Sequence, residues 1–456
     1  MPDQKKNPKI PPQNLEAERQ VLGALLIDKN AIHKIADIIS APDFYNPAHE
    51  KIFQGIMDLY SKNSPIDILS LTDFFKERGK LKEIGTHTYL SELVEAVPTS
   101  SSIEHFAKLV KEKKILRDLV SLSSYIGEQA FNNQDDIGEL LDRIEQRVVN
   151  ISQISSLQKF IHIKDELRDA YERIEKLHQG EKGAIRGIPS GFNDLDGLLS
   201  GFQKSDLVIL GARPSMGKTS LALDIARNAA FHSKIPVGIF SIEMSRDQVI
   251  DRLISAESGV PLWRLRTGRI SDDLEFQMIQ QSLDKLSDSP IYIDDTPSPT
   301  LLQIRAMARR LQMEHGLGLI ILDYLQLIMP RTKSDNLVQQ VSEISRELKG
   351  LARELSVPVL ALAQLSRNVE QRDSRIPRLS DLRDSGSIEQ DADVVMFIYR
   401  KDRDKQDLPE EEQNSADIIV AKHRNGPLGV AKVKFDPEKA SFKNIDKIHT
   451  SNDDIL

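Results

Sequence analysis

The stretch from Leu207 to Ala230 admits few folds. An apolar run, Leu207 to Leu210, leads into Gly211-Ala-Arg-Pro-Ser-Met-Gly-Lys-Thr219, and a helical pattern, Ser220 to Ala230, leaves it. Strand, tight loop and helix, with Lys-Thr at the junction, is the setting of a phosphate-binding P-loop. Small residues let backbone N–H groups approach phosphate oxygens. The helix start adds unpaired N–H groups and the positive end of its dipole. The candidate nucleotide cradle is therefore Ala212, Arg213, Pro214, Ser215, Met216, Gly217, Lys218, Thr219 and Ser220. Lys218 is expected to reach the β- and γ-phosphates of ATP, and the Thr219 hydroxyl to hold Mg²⁺. The first motif glycine falls by spacing on Ala212, which is also compact.

Further polar residues end apolar runs. Gly318-Leu-Ile-Ile-Leu-Asp323 reads as a buried strand closed by a carboxylate, about 105 residues after the loop. Asp323 is the expected Mg²⁺ partner. Phe240-Ser-Ile-Glu-Met-Ser245 places Glu243 after the next strand. Adjacent strand ends of an open parallel sheet share one crevice, where a carboxylate polarises an attacking water. The alternative for Glu243 is a cap on the helix beginning near Ser245. Val357 to Ala363 is another apolar strand, followed by Gln364, whose amide suits a γ-phosphate sensor. Next comes a loop rich in guanidinium groups: Arg367, Arg372, Arg375, Arg378 and Arg383. Lys422 and Arg424 lie two apart before a Gly-Pro turn and suit either a neighbour's nucleotide or a solvated strand end.

From Gly187 to residue 445, strands alternate with helices, the pattern of an α/β domain with a largely parallel sheet. The expected strands are Leu207–Leu210, Val237–Ser241, Ile291–Asp294, Leu319–Asp323, Val357–Ala363, Val394–Ile398, Asp417–Ala421 and Val430–Phe435. Residues 14–100 read as a small all-helical domain, with helices around Leu15–Leu26, Ala31–Ile39, Ala48–Lys62, Ser70–Arg78 and Leu90–Ala96. Residues 101–155 read as a helical hairpin turning near Asn132–Asp136. A linker, 156–186, carries an amphipathic helix, Ile163–Leu177, whose apolar side packs either on a neighbouring subunit or on its own chain. Residues 1–13 and 446–456 are expected to be flexible.

Composition narrows the function classes. The chain has 456 residues and no cysteine, which excludes disulfides, thiolate metal sites and Cys nucleophiles. No apolar run approaches a membrane span, and no secretory signal opens the chain, so a cytoplasmic protein is expected. Net charge is −8, so any grip on nucleic acid must be concentrated on one surface. Aromatic residues are 5%, which favours backbone phosphate contacts over base stacking.

These motifs, in this order and spacing, resemble the bacterial replicative DNA helicases of the DnaB family. The likeness spans nearly the whole chain. It includes Gln13-Asn-Leu-Glu-Ala-Glu-Arg-Gln20, the loop to Thr219, Phe240–Ser245, Leu322-Asp-Tyr-Leu-Gln326, Gln364-Leu-Ser-Arg367, Asp381–Asp393 and Ala421–Pro427. The resemblance implies a RecA-like motor joined by a linker helix to a helical N-terminal domain. It implies a homohexameric ring that encircles single-stranded DNA and moves 5′ to 3′ at the replication fork in the nucleoid. Primase, a helicase loader and other replisome proteins are the implied partners. By position, Lys218 and Thr219 take nucleotide and Mg²⁺, Glu243 is the catalytic base, Asp323 the metal residue and Gln364 the sensor. Lys422 and Arg424 enter the neighbour's site, and the linker helix docks on the adjacent subunit. The loop Asp381-Leu-Arg-Asp-Ser-Gly386 grips DNA through Arg383, Asp384 and Gly386, with Asp384 standing where many relatives carry Glu. A RecA-like recombinase or regulatory ATPase without strand separation, and a non-enzymatic scaffold, share parts of this pattern.

Overall fold

Asn14 starts the first helix. Its side chain accepts the Ala17 N–H at 3.0 Å and leaves Glu16 and Glu18 in the first turn, beside the positive dipole end. In this computed structural model the described residues are 10–62, 64–97, 102–132, separate positions between 137 and 175, 186–270, 272–330, 337–372, 374–382, 386–403, 409 and 413–445. Contacts divide the chain into two compact units, residues 1–167 and 168–456.

The first unit holds α1 (Leu15–Ile27), α2 (Pro47–Ser61), α3 (Ile68–Glu77), α4 (Thr86–Glu95) and α5 (Ile103–Asn132). Asn46 and Asp67 cap α2 and α3 through their side chains. Val21, Leu22, Leu25, Ile52, Phe53 and Ile56 are fully buried at their common core. The helix expected at Ala31–Ile39 is instead a 3₁₀ segment, Lys29–Lys34. Asp28 accepts the Asn30 N–H at 2.9 Å and tightens the turn. The burial of Ala31, Ile32 and Ile35 mimics helical spacing. Beneath α2 lies a buried polar knot. Glu18 accepts the N–H groups of Tyr45 and Asn46 and meets His49 Nδ1 at 2.6 Å, while His49 Nε2 is 2.6 Å from the Tyr89 hydroxyl. The turn expected near Asn132–Asp136 falls on 133–136, outside the described residues. Beyond it, Arg147 lies over the Tyr125 ring at 3.7 Å.

The second unit is built on one sheet of order β3-β2-β4-β5-β1-β6-β7-β8-β9. Its strands are β1 (Leu207–Ala212), β2 (Val237–Ser241), β3 (Ile291–Asp294), β4 (Leu319–Asp323), β5 (Val359–Gln364), β6 (Val394–Arg400), β7 (Ser415–His423), β8 (Gly429–Asp436) and β9 (Ser441–Asn444). From β3 to β6 all pairings are parallel, and from β6 to β9 antiparallel. Alternate residues of β1 feed opposite faces. Val208 and Leu210 join the core on one side, Leu207 and Ile209 the core on the other. β5 begins at Val359 rather than Val357, because Pro358 has no N–H to give the ladder.

The helices of this unit are α6 (Asn193–Leu199), α7 (Lys218–Ser233), α8 (Arg246–Ser258), α9 (Leu262–Thr267), α10 (Asp273–Ser287), α11 (Leu301–His315), α12 (Leu337–Leu355) and α13 (Gly386–Asp391). The strand β9 has no counterpart in the sequence reading. It is tied to α7 through Asp224, which accepts the Ser441 hydroxyl at 2.8 Å and the Phe442 N–H at 2.6 Å. Complete burial pushes the Asp224 carboxyl up to about 6.

Candidate functional site

β1 ends at Ala212 and α7 begins at Lys218, so residues 213–217 form the turn between them. The turn needs positive φ at Ser215 (66°) and Gly217 (98°). At Gly217 a Cβ would also lie 2.8 Å from the Phe442 ring and 3.2 Å from that of Phe435. Glycine is therefore demanded by the backbone and by the aromatic wall behind it. Ala212, Arg213, Pro214, Ser215, Gly217, Lys218, Thr219 and Ser220 line a cleft of about 620 Å³. The Met216 side chain packs on the apolar core instead.

Strand register brings the expected polar residues to this cleft. Ala212 pairs with Gln364, and Ser241 with Asp323. Asp323 is 3% exposed. Its Oδ2 accepts the Thr219 hydroxyl at 2.5 Å, and Lys218 Nζ is 3.2 Å from its Oδ1. Lys218 also lies 4.1 Å from the centre of the Tyr324 ring. Oδ1 is buried, and no donor is aligned to bond it: the lysine contact is ionic and poorly directed. A buried carboxylate oxygen with uncommitted lone pairs beside a hydroxyl suits a hard divalent cation, so Thr219 and Asp323 fit Mg²⁺. Among the described residues no group of three His, Asp or Glu forms a separate metal cluster.

Glu243 lies two residues beyond β2 and lines the cleft. The N–H groups of Ile242 and Glu243 both donate to the Asp323 carbonyl, at 2.8 and 3.2 Å. Ser245 occupies the N-cap of α8, so Glu243 does not cap that helix. Burial, then the charges of Glu243 and Asp323, push the Tyr324 hydroxyl above its ordinary pKa. Gln364 is clasped by Gln326, whose amide nitrogen donates to the Gln364 carbonyl (3.2 Å) and whose amide oxygen accepts the Gln364 N–H (3.3 Å).

Among the cleft residues not foreseen are two arginines. Arg252, on α8, donates to the Ser220 hydroxyl at 3.1 Å, and Arg266, in the last turn of α9, lines the same cleft. Burial, then the Arg266 charge, lowers the Arg252 pKa against the opposing pull of Asp323 and Glu243. In sequence Arg252 looks like an ordinary helix-surface charge. Its only signal is a position two turns into the helix that follows Glu243.

Residues 187–444 match the family model of the DnaB-like helicase C terminal domain, and residues 10–112 that of the DnaB-like helicase N terminal domain. The chain is 45% identical over 440 residues to the replicative DNA helicase DnaB of Geobacillus stearothermophilus, covering 96% of each chain. The chain belongs to the DnaB family of ATP-dependent replicative DNA helicases. It is likewise 43% identical over 442 residues to the replicative DNA helicase DnaC of Bacillus subtilis, spanning 97% of this chain and 96% of that one. A solved DnaB-like replicative helicase, described with its interactions with primase, aligns at TM-score 0.78 and 31% identity over 95% of this chain and all of the other.

In this helicase the remaining expected residues lie at the other edge of the sheet. The Asp393 N–H donates to the Leu207 carbonyl, and its Oδ2 accepts the Leu207 N–H at 2.9 Å, where β1 starts. The Arg424 N–H donates to the Asp393 carbonyl at 2.8 Å, and the Arg424 side chain is 63% exposed, its Nη1 3.5 Å from Asp393 Oδ1. Lys422 Nζ donates to the carbonyls of Glu389, Gln390 and Ala392 at the end of α13. Burial, then Arg424, lowers its pKa. Gly386 opens α13 at an exposed position, while Arg383 and Asp384 lie outside the described residues.

Proposed function

We propose that this helicase acts as a homohexameric ring that encircles single-stranded DNA, binds ATP with Mg²⁺ and cleaves it at the seams between subunits. The observation that carries the reading is the position of Arg424. It is pinned at the start of β1, whereas the cradle follows the end of β1. Six extended residues separate the two edges by about 20 Å, beyond the reach of an arginine side chain. A guanidinium there, largely exposed, serves a triphosphate only if that triphosphate belongs to another copy. Lys422 joins it only by leaving the α13 carbonyls. Three described positions of the expected linker helix, much of which lies outside the described residues, support assembly too: Ile163, Leu167 and Tyr171 are 71%, 56% and 67% exposed in the single chain. Such a face gains stability by docking on an adjacent subunit.

In this reading the cradle N–H groups and Lys218 hold the phosphates, and Glu243 takes the proton of the attacking water. Gln364 responds to the γ-phosphate, and the neighbour's Arg424 balances charge that develops on it. Mg²⁺, held by Thr219 and Asp323, would neutralise the β- and γ-oxygens. Arg383, Asp384 and Gly386 contact the DNA backbone, with 5′ to 3′ movement as in the family. Cations line the channel and the surplus of acids faces outward. The N-terminal domain recruits primase, a helicase loader and other replisome proteins at the fork, in the cytoplasmic nucleoid. The likeness to the solved helicase described with primase supports the first of these.

The test is native mass of the full chain with ATP, with and without a short oligonucleotide, alongside turnover and forked-duplex unwinding. Six-fold assemblies and DNA-stimulated turnover are expected. Full turnover by single chains, indifferent to DNA, would refute the reading.

A further inference from the structure

The arginine-rich segment after β5 has a role that the cleft alone does not use. Arg213 belongs to the cradle by its backbone, yet its guanidinium turns toward that segment. Nη1 donates to the Leu365 carbonyl at 2.8 Å, Nε donates to Glu370 Oε1 at 2.8 Å, and Nη2 lies 2.7 Å from the same oxygen. A guanidinium committed to two acceptors is a link between them rather than a ligand held ready for phosphate. Its planar fork fixes direction as well as distance, which a lysine in its place would not.

Leu365 is the junction. It follows the sensor Gln364, and its N–H donates to the Ala212 carbonyl at 3.2 Å, extending the β1–β5 ladder. It also forms an antiparallel bridge with Leu382, and the next residue, Ser366, donates its N–H to the Asp381 carbonyl at 2.9 Å. Leu382 directly precedes Arg383. Leu365, Val369, Leu382 and Ile388 are buried in one core cluster. A displacement of any of them is therefore felt by the others, because a close-packed interior transmits strain. Glu370 sits beside Val369 on the 3₁₀ turn Arg367–Gln371, with its own side chain 55% exposed. The Arg213 side chain is 11% exposed, so the pair is open to solvent on the Glu370 side only.

We propose that the Arg213–Glu370 pair is a coupling clasp. It ties the shape of the phosphate cradle to the Arg367–Gln371 turn and, through the Leu365–Leu382 bridge, to the loop that holds single-stranded DNA. Filling the cradle with a triphosphate rather than a diphosphate then sets DNA affinity. Glu370 is a positioning residue that touches neither nucleotide nor DNA. The inference rests on the assignment of DNA contacts to the Arg383 loop.

The experiment uses full-length Glu370→Ala and Glu370→Gln chains with a fluorescent oligonucleotide. DNA affinity is measured with a non-hydrolysable ATP analogue and with ADP, alongside DNA-free turnover and the KM for ATP. DNA-free turnover and KM stay within about two-fold of the parent, while the ratio of the two DNA affinities falls by at least about five-fold, the lower end of ordinary site-to-site coupling. Arg383→Ala is run in parallel. If Arg383→Ala weakens DNA binding and both Glu370 variants keep the full ratio, the clasp alone is overturned. If Arg383→Ala leaves DNA binding intact, the loop assignment fails and the clasp with it. A Glu370→Ala chain that loses DNA-free turnover in proportion to the ratio also overturns the clasp, since the residue would then be acting inside the cradle.

Discussion

Mixing two inactive chains tests the seam quantitatively. Lys218→Ala removes the ammonium from the cradle, and Arg424→Ala removes the guanidinium from the far edge of the sheet. Because about 20 Å of β1 lies between them, neither loss is repaired within one chain, and in the proposed ring each seam draws one group from each neighbour. Loss of an arginine acting in trans costs on the order of 10³- to 10⁵-fold in turnover, so either variant alone should be silent on a steady-state scale. In an equal, random mixture, a seam is intact when an Arg424→Ala chain offers the cradle and a Lys218→Ala chain offers the guanidinium. That arrangement occurs at about one seam in four in a closed ring. Turnover should therefore rise from background toward about a quarter of the parent if seams act independently, and less if they must act in sequence. The assay is DNA-stimulated ATP turnover across mixing ratios, with subunit exchange verified by mass. No recovery despite verified exchange, or near-parental turnover by Arg424→Ala alone, would contradict the argument.

Three more outcomes are expected. Gly217→Ala forces a side chain to φ 98° and sets a methyl 2.8 Å from Phe442. Strain of about 1–3 kcal/mol at the cradle should weaken nucleotide binding by roughly ten-fold or more, read by titration of a fluorescent nucleotide. Glu18→Ala strips acceptors from the Tyr45 and Asn46 N–H groups and from His49. At about 1 kcal/mol or more for each orphaned group, the N-terminal domain should lose about 3 kcal/mol, seen as an earlier melting transition in the full chain. Asp206 is pushed from the usual 3.8 up to about 6 by burial and then by Asp393. Between those pH values the folded chain binds more protons than the unfolded one, so motor-domain stability falls as pH rises through the window and levels off above it. Asp206→Asn should flatten that decline, by no more than about 3 kcal/mol, in calorimetric scans from pH 4 to 7.

The sequence was most legible where one short stretch sets its own local geometry. Lys218 and Thr219 follow from a loop between strand and helix. Asp323 follows from a strand that is apolar up to its last residue, since a buried parallel strand has no other place for a carboxylate. Residues brought to the cleft from distant elements were opaque. Arg252 lies on an amphipathic helix whose charges look solvated until the helix is folded over Ser220. The Gln326–Gln364 clasp joins two strand ends, and sequence spacing does not report on it. The strand β9 is too short to show a period. It exists because Asp224 and the antiparallel edge of β8 hold it. Arg213 was counted with the cradle because its neighbours are, and only the fold shows its side chain turned away.

Phe442 has a consequence for how a working subunit comes into being. It backs Gly217 and is anchored to Asp224, 218 residues earlier in the chain. During synthesis, which proceeds from the N-terminus, the lysine-bearing loop leaves the ribosome long before its aromatic backing does. A nascent chain therefore carries the loop without that backing, and its ability to retain nucleotide is expected to arrive late. For the same reason, proteolytic trimming upstream of Ser441 should silence the enzyme while leaving its entire signature sequence intact.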